Sequence, residues 1–342
     1  MSTLSTKTEN SPVDRMIEIV AGFWAARAVH VAAKLGLADH LTDGPKTVEQ
    51  LAAATSTHAP SLLRLLRALV GIEVLREVAP QRFASTPLGD TLHSGAADSM
   101  RAIAVSIIGA EHYDAWQAVE HSVRTGETAF DFVHQMPIWK FFRENPSNAK
   151  DFDQAMTDFT RAIDPAVLKA YDFAPFKRII DVGGGHGELL SAILLKHPKV
   201  RGTVFDQPYV AEGAARKFAA LNLSARADTV GGDFFESIPA GGDAYMMKFI
   251  IHDWDEPRSI RILSNIRKGI APNGKLLLLE TVLPEGNEPH FARFMDLNML
   301  VMTGGRERTE REYADLLRQA GFHLARVVQT ESVISVVEAV PA

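Results

Sequence analysis

The chain has 342 residues, 46% of them hydrophobic and 23% charged, with a net charge of -6 and 0 cysteines. At roughly 100–200 residues per domain that length allows two domains or three, and the composition is that of a folded globular protein. The negative balance argues against holding nucleic acid by bulk charge. Without cysteine there are no disulfides, thiol nucleophiles, cysteine zinc sites or iron–sulfur clusters, and a reducing cytoplasm is the expected location.

Met1 to Ser11 is polar, lacks the apolar core of a signal peptide and reads as a frayed tail. No stretch reads as approaching the roughly 18 apolar residues of a membrane span, so no membrane is expected. Ser11-Pro12 has the form of a cap followed by proline at the first helical position, and Met16, Ile19, Val20, Phe23, Trp24, Val31 and Leu35 recur at helical spacing. Two further helices are expected, from Thr47 to about Ala54 and from about Pro60 to Val70. Short segments over 72–78 and 81–85 follow, split by Pro80. Helices followed by a hairpin read as a winged helix. Lys/Arg and Asp/Glu balance over residues 1–105, and leucine dominates the third helix, so packing against another subunit fits better than DNA binding.

Residues 101–170 read as helical and aromatic, either a core layer or a pocket roof. From Lys177 apolar runs alternate with amphipathic helices, the pattern of a doubly wound parallel sheet. At the end, runs over 322–329 and 333–339 are joined by so short a link that only an antiparallel hairpin fits.

The first strand runs into Asp181-Val182-Gly183-Gly184-Gly185-His186-Gly187 and then a helix. Glycines there let backbone approach a ligand closely; the alternative is a tight turn that binds nothing. A dinucleotide fingerprint would need its third glycine at 188, which is Glu. Asp206, ending the second strand, suits both hydroxyls of a ribose, or a cap. Asp233, after Gly231-Gly232, would hold an adenine amino group under Phe234. A phosphate-free adenosine ligand with a carboxylate tail suggests S-adenosylmethionine.

Met247-Lys248-Phe249-Ile250-Ile251-His252-Asp253-Trp254, taken with Asp181–Gly187, Gly231–Phe235, Leu279–Pro284 and Gly304-Gly305-Arg306-Glu307-Arg308-Thr309, resembles the caffeate/acetylserotonin-type O-methyltransferases, from about residue 12 to the end. The resemblance implies a class I S-adenosylmethionine methyltransferase fold with an antiparallel C-terminal hairpin. It implies a winged-helix dimerisation domain over 12–100, a helical connector and lid over 101–170, and a catalytic domain over 171–342, in a homodimer. It makes His252 the proton acceptor, flanked by Glu280 and Glu307. Cofactor contacts map onto Gly183, Gly185, Asp206, Asp233, Phe234 and Lys248, and acceptor contacts onto Phe152, Met156, Phe159, Met299 and Met302. Plant members commonly have Met at the position of Phe234, and several have His at that of Phe159 and Asn at that of Met302. A more apolar acceptor site follows, less suited to phenylpropanoid acids.

The chemistry expected is in-line transfer to a phenolic hydroxyl, with S-adenosylhomocysteine as product. A phenol of pKa about 10 stays protonated at neutral pH, and histidine, near 6.5, is the residue suited to take that proton. By itself His252 also reads as a structural histidine, and Glu307 as a surface partner of Arg306, Arg308 and Arg311. Glu280, after four leucines, is costly unless paired or used. Asp253 is an alternative orienting group, although a sequence neighbour of the histidine usually points away; Asp255 and Glu256 read as solvated turn or helix-start acids, and Asp296 as structural, with pocket polarity as its alternative. The histidines show no metal-binding spacing, so no metal is expected. Competing readings are an N-methyltransferase of a heteroaromatic, a hydroxylase or decarboxylase of polyketide-type substrates on the same fold, and a regulator that senses S-adenosylmethionine.

Overall fold

A computed structural model describes residues 11–342; of the polar start only Ser11 lies among them. The chain divides into two compact units, the second beginning at Ala110.

In the first unit α1 (Pro12–Leu35) starts at Ser11, whose side chain accepts from the Asp14 amide, and stops at Gly36, where φ is 63°. After α2 (Leu37–Leu41) and β1 (Lys46–Thr47), α3 (Val48–Thr55) opens with a reciprocal Thr47–Gln50 capping box. Next come α4 (Ala59–Gly71), β2 (Leu75–Ala79), β3 (Arg82–Ser85), α5 (Pro87–Asp90) and α6 (Arg101–Ser106). The expected hairpin gains a third strand, in the order β1-β3-β2; two residues are too few to show a pattern. Leu51, Leu66, Leu69 and Phe83 are its fully buried core. The unit runs on to Gly109 rather than ending at 100 because α6 is tied to α1. His30 Nδ1 donates to the Ala104 carbonyl at 3.0 Å, and Arg101 Nε donates to that of Ala33 at 2.9 Å.

The apolar character of α1 exceeds the expectation from sequence. α1 is long and apolar enough to cross a membrane by length and composition. Alanines and glycine between its large residues keep the run apolar with few charges, which a search for uninterrupted large side chains misses. Val13, Met16, Ile17, Val20, Phe23 and Trp24 are all exposed on it.

The second unit begins with helices α7 (Ala110–Gln117), α8 (Val119–Thr125), α9 (Ala129–His134), α10 (Ile138–Glu144) and α11 (Pro146–Ala170). They cluster with the sheet that follows rather than forming a unit of their own. That part comprises β4 (Arg178–Val182), α12 (Glu188–Lys196), β5 (Arg201–Asp206), α13 (Pro208–Ala220), β6 (Ala227–Gly231), β7 (Ala244–Lys248), a 3₁₀ turn (Ile251–Asp253) and α14 (Glu256–Gly269). It continues through β8 (Lys275–Glu280), β9 (Val282–Leu283), α15 (Phe291–Met302), β10 (Arg308–Thr309), α16 (Glu310–Gln319), β11 (Phe322–Gln329) and β12 (Ser335–Pro341).

The main sheet has the order β11-β12-β8-β7-β4-β5-β6. Strands β6, β5, β4, β7 and β8 are parallel; β12 lies antiparallel to β8 and closes the hairpin with β11. Ile179, Ile180 and Leu276 to Leu279 are fully buried, as expected of strands covered on both faces. Strand order reverses between β4 and β7, and the crevice outside their carboxyl ends is where open α/β sheets take ligands. The glycine loop leaves β4 there, and the His252 turn leaves β7.

Candidate active site

Beyond β7 the backbone bends sharply. Phe249 takes a φ of 53°, a strained value for a bulky residue, and the 3₁₀ turn Ile251–Asp253 follows. His252, 6% exposed, donates from Nδ1 to Glu307 Oε1 at 2.8 Å. Glu280 Oε2 lies 3.8 Å from Nδ1, and Asp253 Oδ1 lies 3.7 Å from Nε2, beyond hydrogen-bond reach. Nε2 makes no hydrogen bond among the described residues. Asp253 thus joins the cluster instead of pointing away, because its strand has already given way to a 3₁₀ turn.

Three backbone devices hold the carboxylates. Glu280 ends β8, and its Oε1 accepts from the amides of Ile250 and Ile251 at 3.2 and 2.9 Å. Val282 pairs with Arg308 in the short parallel ladder β9–β10, which sets the Glu280 and Glu307 segments side by side. The Glu307 amide donates to Asp296 Oδ1 at 2.9 Å, which gives Asp296 a positioning contact. Thr309 and Glu312 form a capping box for α16 just beyond. A side chain at Gly305 would collide with the His252 carbonyl, so the double glycine serves close backbone approach.

Arg308, read from the sequence as a surface neighbour of Glu307, is among the fully buried side chains. Its guanidinium donates to the carbonyls of Ile251, Arg306 and Trp254 and to Ser259 Oγ, at 3.3 to 3.4 Å. It braces the turn that carries His252. Glu307 is buried likewise and is no surface ion-pair partner.

The electrostatics follow from this packing. Burial disfavours a charged His252, yet Glu280, Glu307 and Asp253 outweigh it and lift its pKa to about 10. Burial pushes Glu280 up to about 7 against the pull of His252, and Asp253 up to about 6. The ordinary histidine value expected from the sequence therefore does not apply. Ligand atoms of His252, Glu280 and Glu307 lie within 4.8 Å of one another, a set chemically able to hold a cation. The proton between Nδ1 and Glu307 Oε1 already uses two of those lone pairs.

Across the crevice, Gly183, Gly185 and Gly187 all have positive φ. Gly185 donates its amide to Asp206 Oδ2 at 2.9 Å, and the space a Cβ would fill there is open. Asp206 Oδ1 accepts from the Gln207 amide at 2.6 Å. Burial raises the Asp206 pKa against these two amides. The carboxylate keeps lone pairs for a diol beside an open backbone cradle, a donor set that fits an adenosine ribose. Asp233 is exposed and accepts from the Phe235 amide at 2.8 Å. Phe234 is half-buried, edge-on to Trp254 at 6.0 Å. Lys248 is bound by its ammonium to Asp164 of α11 at 2.7 Å, a buried pair 84 positions apart that no periodicity could reveal.

Phe152, Met156 and Phe159 fall on one face of α11 at spacings of four and three. Phe159 stacks on Phe249 at 5.6 Å, and Phe249 lies 5.2 Å from the His252 ring. Phe152 stacks on Phe142 at 4.7 Å and meets Trp139, which stacks on Trp254 at 6.2 Å. Two aromatic arms thus converge on the His252 turn. Met299 and Met302 are buried on α15, Met302 in a cluster with Phe130 and Phe142. The aromatic helices supply both a core layer and partly open rings.

An O-methyltransferase domain matches residues 116–323, and an O-methyltransferase dimerisation domain matches residues 17–95. The chain belongs to the O-methyltransferase family. Among relatives, it is 46% identical over 326 residues to a phenazine O-methyltransferase of Lysobacter antibioticus, covering 95% of each chain. It is 36% identical over 334 residues to an 8-amino-8-demethylriboflavin N,N-dimethyltransferase of Streptomyces davaonensis, covering 96% of each. Human N-acetylserotonin methyltransferase, solved with S-adenosylmethionine, superposes with a TM-score of 0.90 at 26% identity, over 98% of this chain and 99% of that one. The protein is a methyltransferase of secondary metabolism with the class I fold, and its cofactor is S-adenosylmethionine.

Proposed function

We propose that this O-methyltransferase family member methylates a hydroxyl group on a polycyclic aromatic metabolite of the phenazine kind, with His252 as the base and without a metal. The observation that carries this reading is the orientation of His252. Nδ1 is committed to Glu307 at 2.8 Å, which leaves Nε2 as the nitrogen free to meet a hydroxyl. Similarity to a phenazine O-methyltransferase supports the acceptor class.

Gly183, Gly185, Asp206, Asp233 and Phe234 hold the nucleoside end of S-adenosylmethionine, and Lys248 lies beside them, locked to Asp164. Bound there, it supplies an electrophilic methyl group on a sulfonium, whose bonding electrons stay with sulfur. Phe152, Met156, Phe159, Met299 and Met302 hold the ring of the acceptor and exclude water from it. His252 takes the hydroxyl proton on Nε2, so that the oxygen lone pair forms the new O–C bond. Glu307 and Glu280 orient the imidazole and hold the imidazolium that results. An imidazolium of pKa about 10 matches a phenol of similar value, so the proton moves between near-equal partners, the favourable case for general catalysis.

The dimerisation domain and the exposed apolar face of α1 support a homodimer built through the first unit. A second reading, transfer to a nitrogen of the acceptor instead of an oxygen, has the support of the related N,N-dimethyltransferase. Mass spectrometry tests both. The protein is mixed in air with S-adenosylmethionine and hydroxylated phenazines, anthraquinones, flavonoids and simple phenols, with and without EDTA. An O-methyl product with equimolar S-adenosylhomocysteine, unaffected by EDTA, is expected. An N-methyl product overturns the base assignment. A product heavier by one oxygen, with S-adenosylmethionine unconsumed, overturns methyl transfer.

A further inference from the structure

His112, on α7, is 3% exposed, and its Nδ1 has no hydrogen-bond partner among the described residues. Buried polar atoms are paired in nearly all folds, so an unpaired one calls for an explanation. Burial pushes its pKa down to about 4, with His134 adding repulsion, so the imidazole is neutral near pH 7. Its ring stacks on Phe152 at 6.4 Å with an interplanar angle of 21°. One helical turn on, Trp116 donates from Nε1 to Asn298 Oδ1 at 2.9 Å, next to Met299. The face of α7 that bears His112 and Trp116 therefore meets α11 and α15, the helices assigned above to the acceptor.

We propose that His112 is a specificity-determining residue, whose unpaired imidazole nitrogen hydrogen-bonds a neutral polar edge of the acceptor, a ring nitrogen or ring carbonyl. The proposal rests on the acceptor site assigned under Proposed function. A neutral imidazole among aromatic rings satisfies such an edge without introducing charge. A carboxylate brought to the same place would lose its water and meet an uncharged imidazole, because burial keeps the ring from protonating. Neutral heteroaromatic or quinonoid acceptors are favoured over aromatic acids.

The test is a fluorescence titration with S-adenosylhomocysteine present, so that it does not depend on turnover. A hydroxyphenazine is compared with the hydroxyanthracene of the same shape, which lacks ring nitrogens, and with a hydroxyphenazine carboxylic acid. His112→Phe is expected to weaken the hydroxyphenazine by about three- to tenfold, the scale of one hydrogen bond, and to leave the hydroxyanthracene unchanged. His112→Gln, which keeps a polar group, retains most of the affinity. The wild type binds the hydroxyphenazine more tightly than its carboxylic acid. Equal weakening of both ring systems, no change in either, or preference for the acid overturns the proposal. Unchanged S-adenosylhomocysteine affinity shows that the variants are folded. Failure of the methyl-transfer reading shows separately, as a wild type that makes no methylated product.

Discussion

The backbone amide of Arg306 donates to the carbonyl oxygen of His252 at 2.8 Å, across Gly305. That contact seats the proposed base on the segment that carries its orienting carboxylate. Gly305→Ala places a methyl group against the His252 carbonyl and the Asp253 backbone. We expect kcat to fall about 100-fold, the cost of misplacing a reacting group by roughly an ångström, while calorimetry finds S-adenosylmethionine affinity unchanged. A normal kcat would show that the turn does not depend on this approach.

Removing the proposed base is a harsher change. His252→Ala is expected to lower kcat by about 10²–10⁴ with cofactor affinity intact, read by initial rates and calorimetry. Near-normal turnover on a phenol would dismiss His252 as the proton acceptor.

The carboxylate cluster sets a pH dependence. His252 is raised to about 10 and Glu280 to about 7. Both folded values lie above the ordinary ones, so the folded state binds more protons than the unfolded and stability falls as pH rises. The His252 contribution is complete below about 6.5 and disappears as pH passes about 10. Between pH 7 and 10 the wild-type Tm should therefore drop more steeply than that of His252→Gln. Activity runs the other way, since the base must be unprotonated, and kcat/KM should climb from pH 7 toward 10. In Glu307→Gln the imidazolium loses one of its holders, and the climb shifts to lower pH with the same acceptor. A plateau already reached at pH 7 would contradict the elevated value.

On the cofactor side, Asp206→Ala removes the carboxylate that accepts from Gly185 and Gln207. S-adenosylmethionine should bind at least tenfold more weakly, as expected for hydrogen bonds to a charged group at about 1.5–3 kcal/mol. Unchanged calorimetry would refute the ribose role.

The exposed face of α1 makes a prediction about assembly. Val20→Glu with Trp24→Glu places two charges on an apolar surface. Light scattering at micromolar concentration should give a dimer for the wild type and a monomer for the variant. A monomeric wild type would remove the interface.

Much of the architecture is legible in sequence because each parallel strand is short, apolar and bounded by turn residues, as Lys275–Glu280 is. Asp206 and the glycine loop are legible for the same reason, since strand ends and glycines are local signals. Glu307 is not: it acts on a histidine 55 positions away, and the two-residue ladder that brings it there is too short to leave a pattern. Only its place in a family motif marks it. Arg308 escapes because a single arginine among exposed arginines looks like its neighbours. Asp253 is hard to place from sequence because a neighbour of the histidine usually points away, whereas the strand ends at Lys248 and a 3₁₀ turn carries both residues. His112 has no local signature; stacking on Phe152 and an unpaired nitrogen emerge only from tertiary packing.

The ladder joining Val282 to Arg308 has one more consequence. It yokes the strand segments behind Glu280 and Glu307, so the two carboxylates travel together when either segment shifts. The rings and thioethers of the proposed acceptor site instead ride on α11 and α15. The proposed acceptor contacts and the proposed proton-handling groups thus sit on different parts of the chain. On the proposed assignment, substitution at Phe152, Met156 and Phe159 is expected to change the acceptor range with the β9–β10 clasp left untouched.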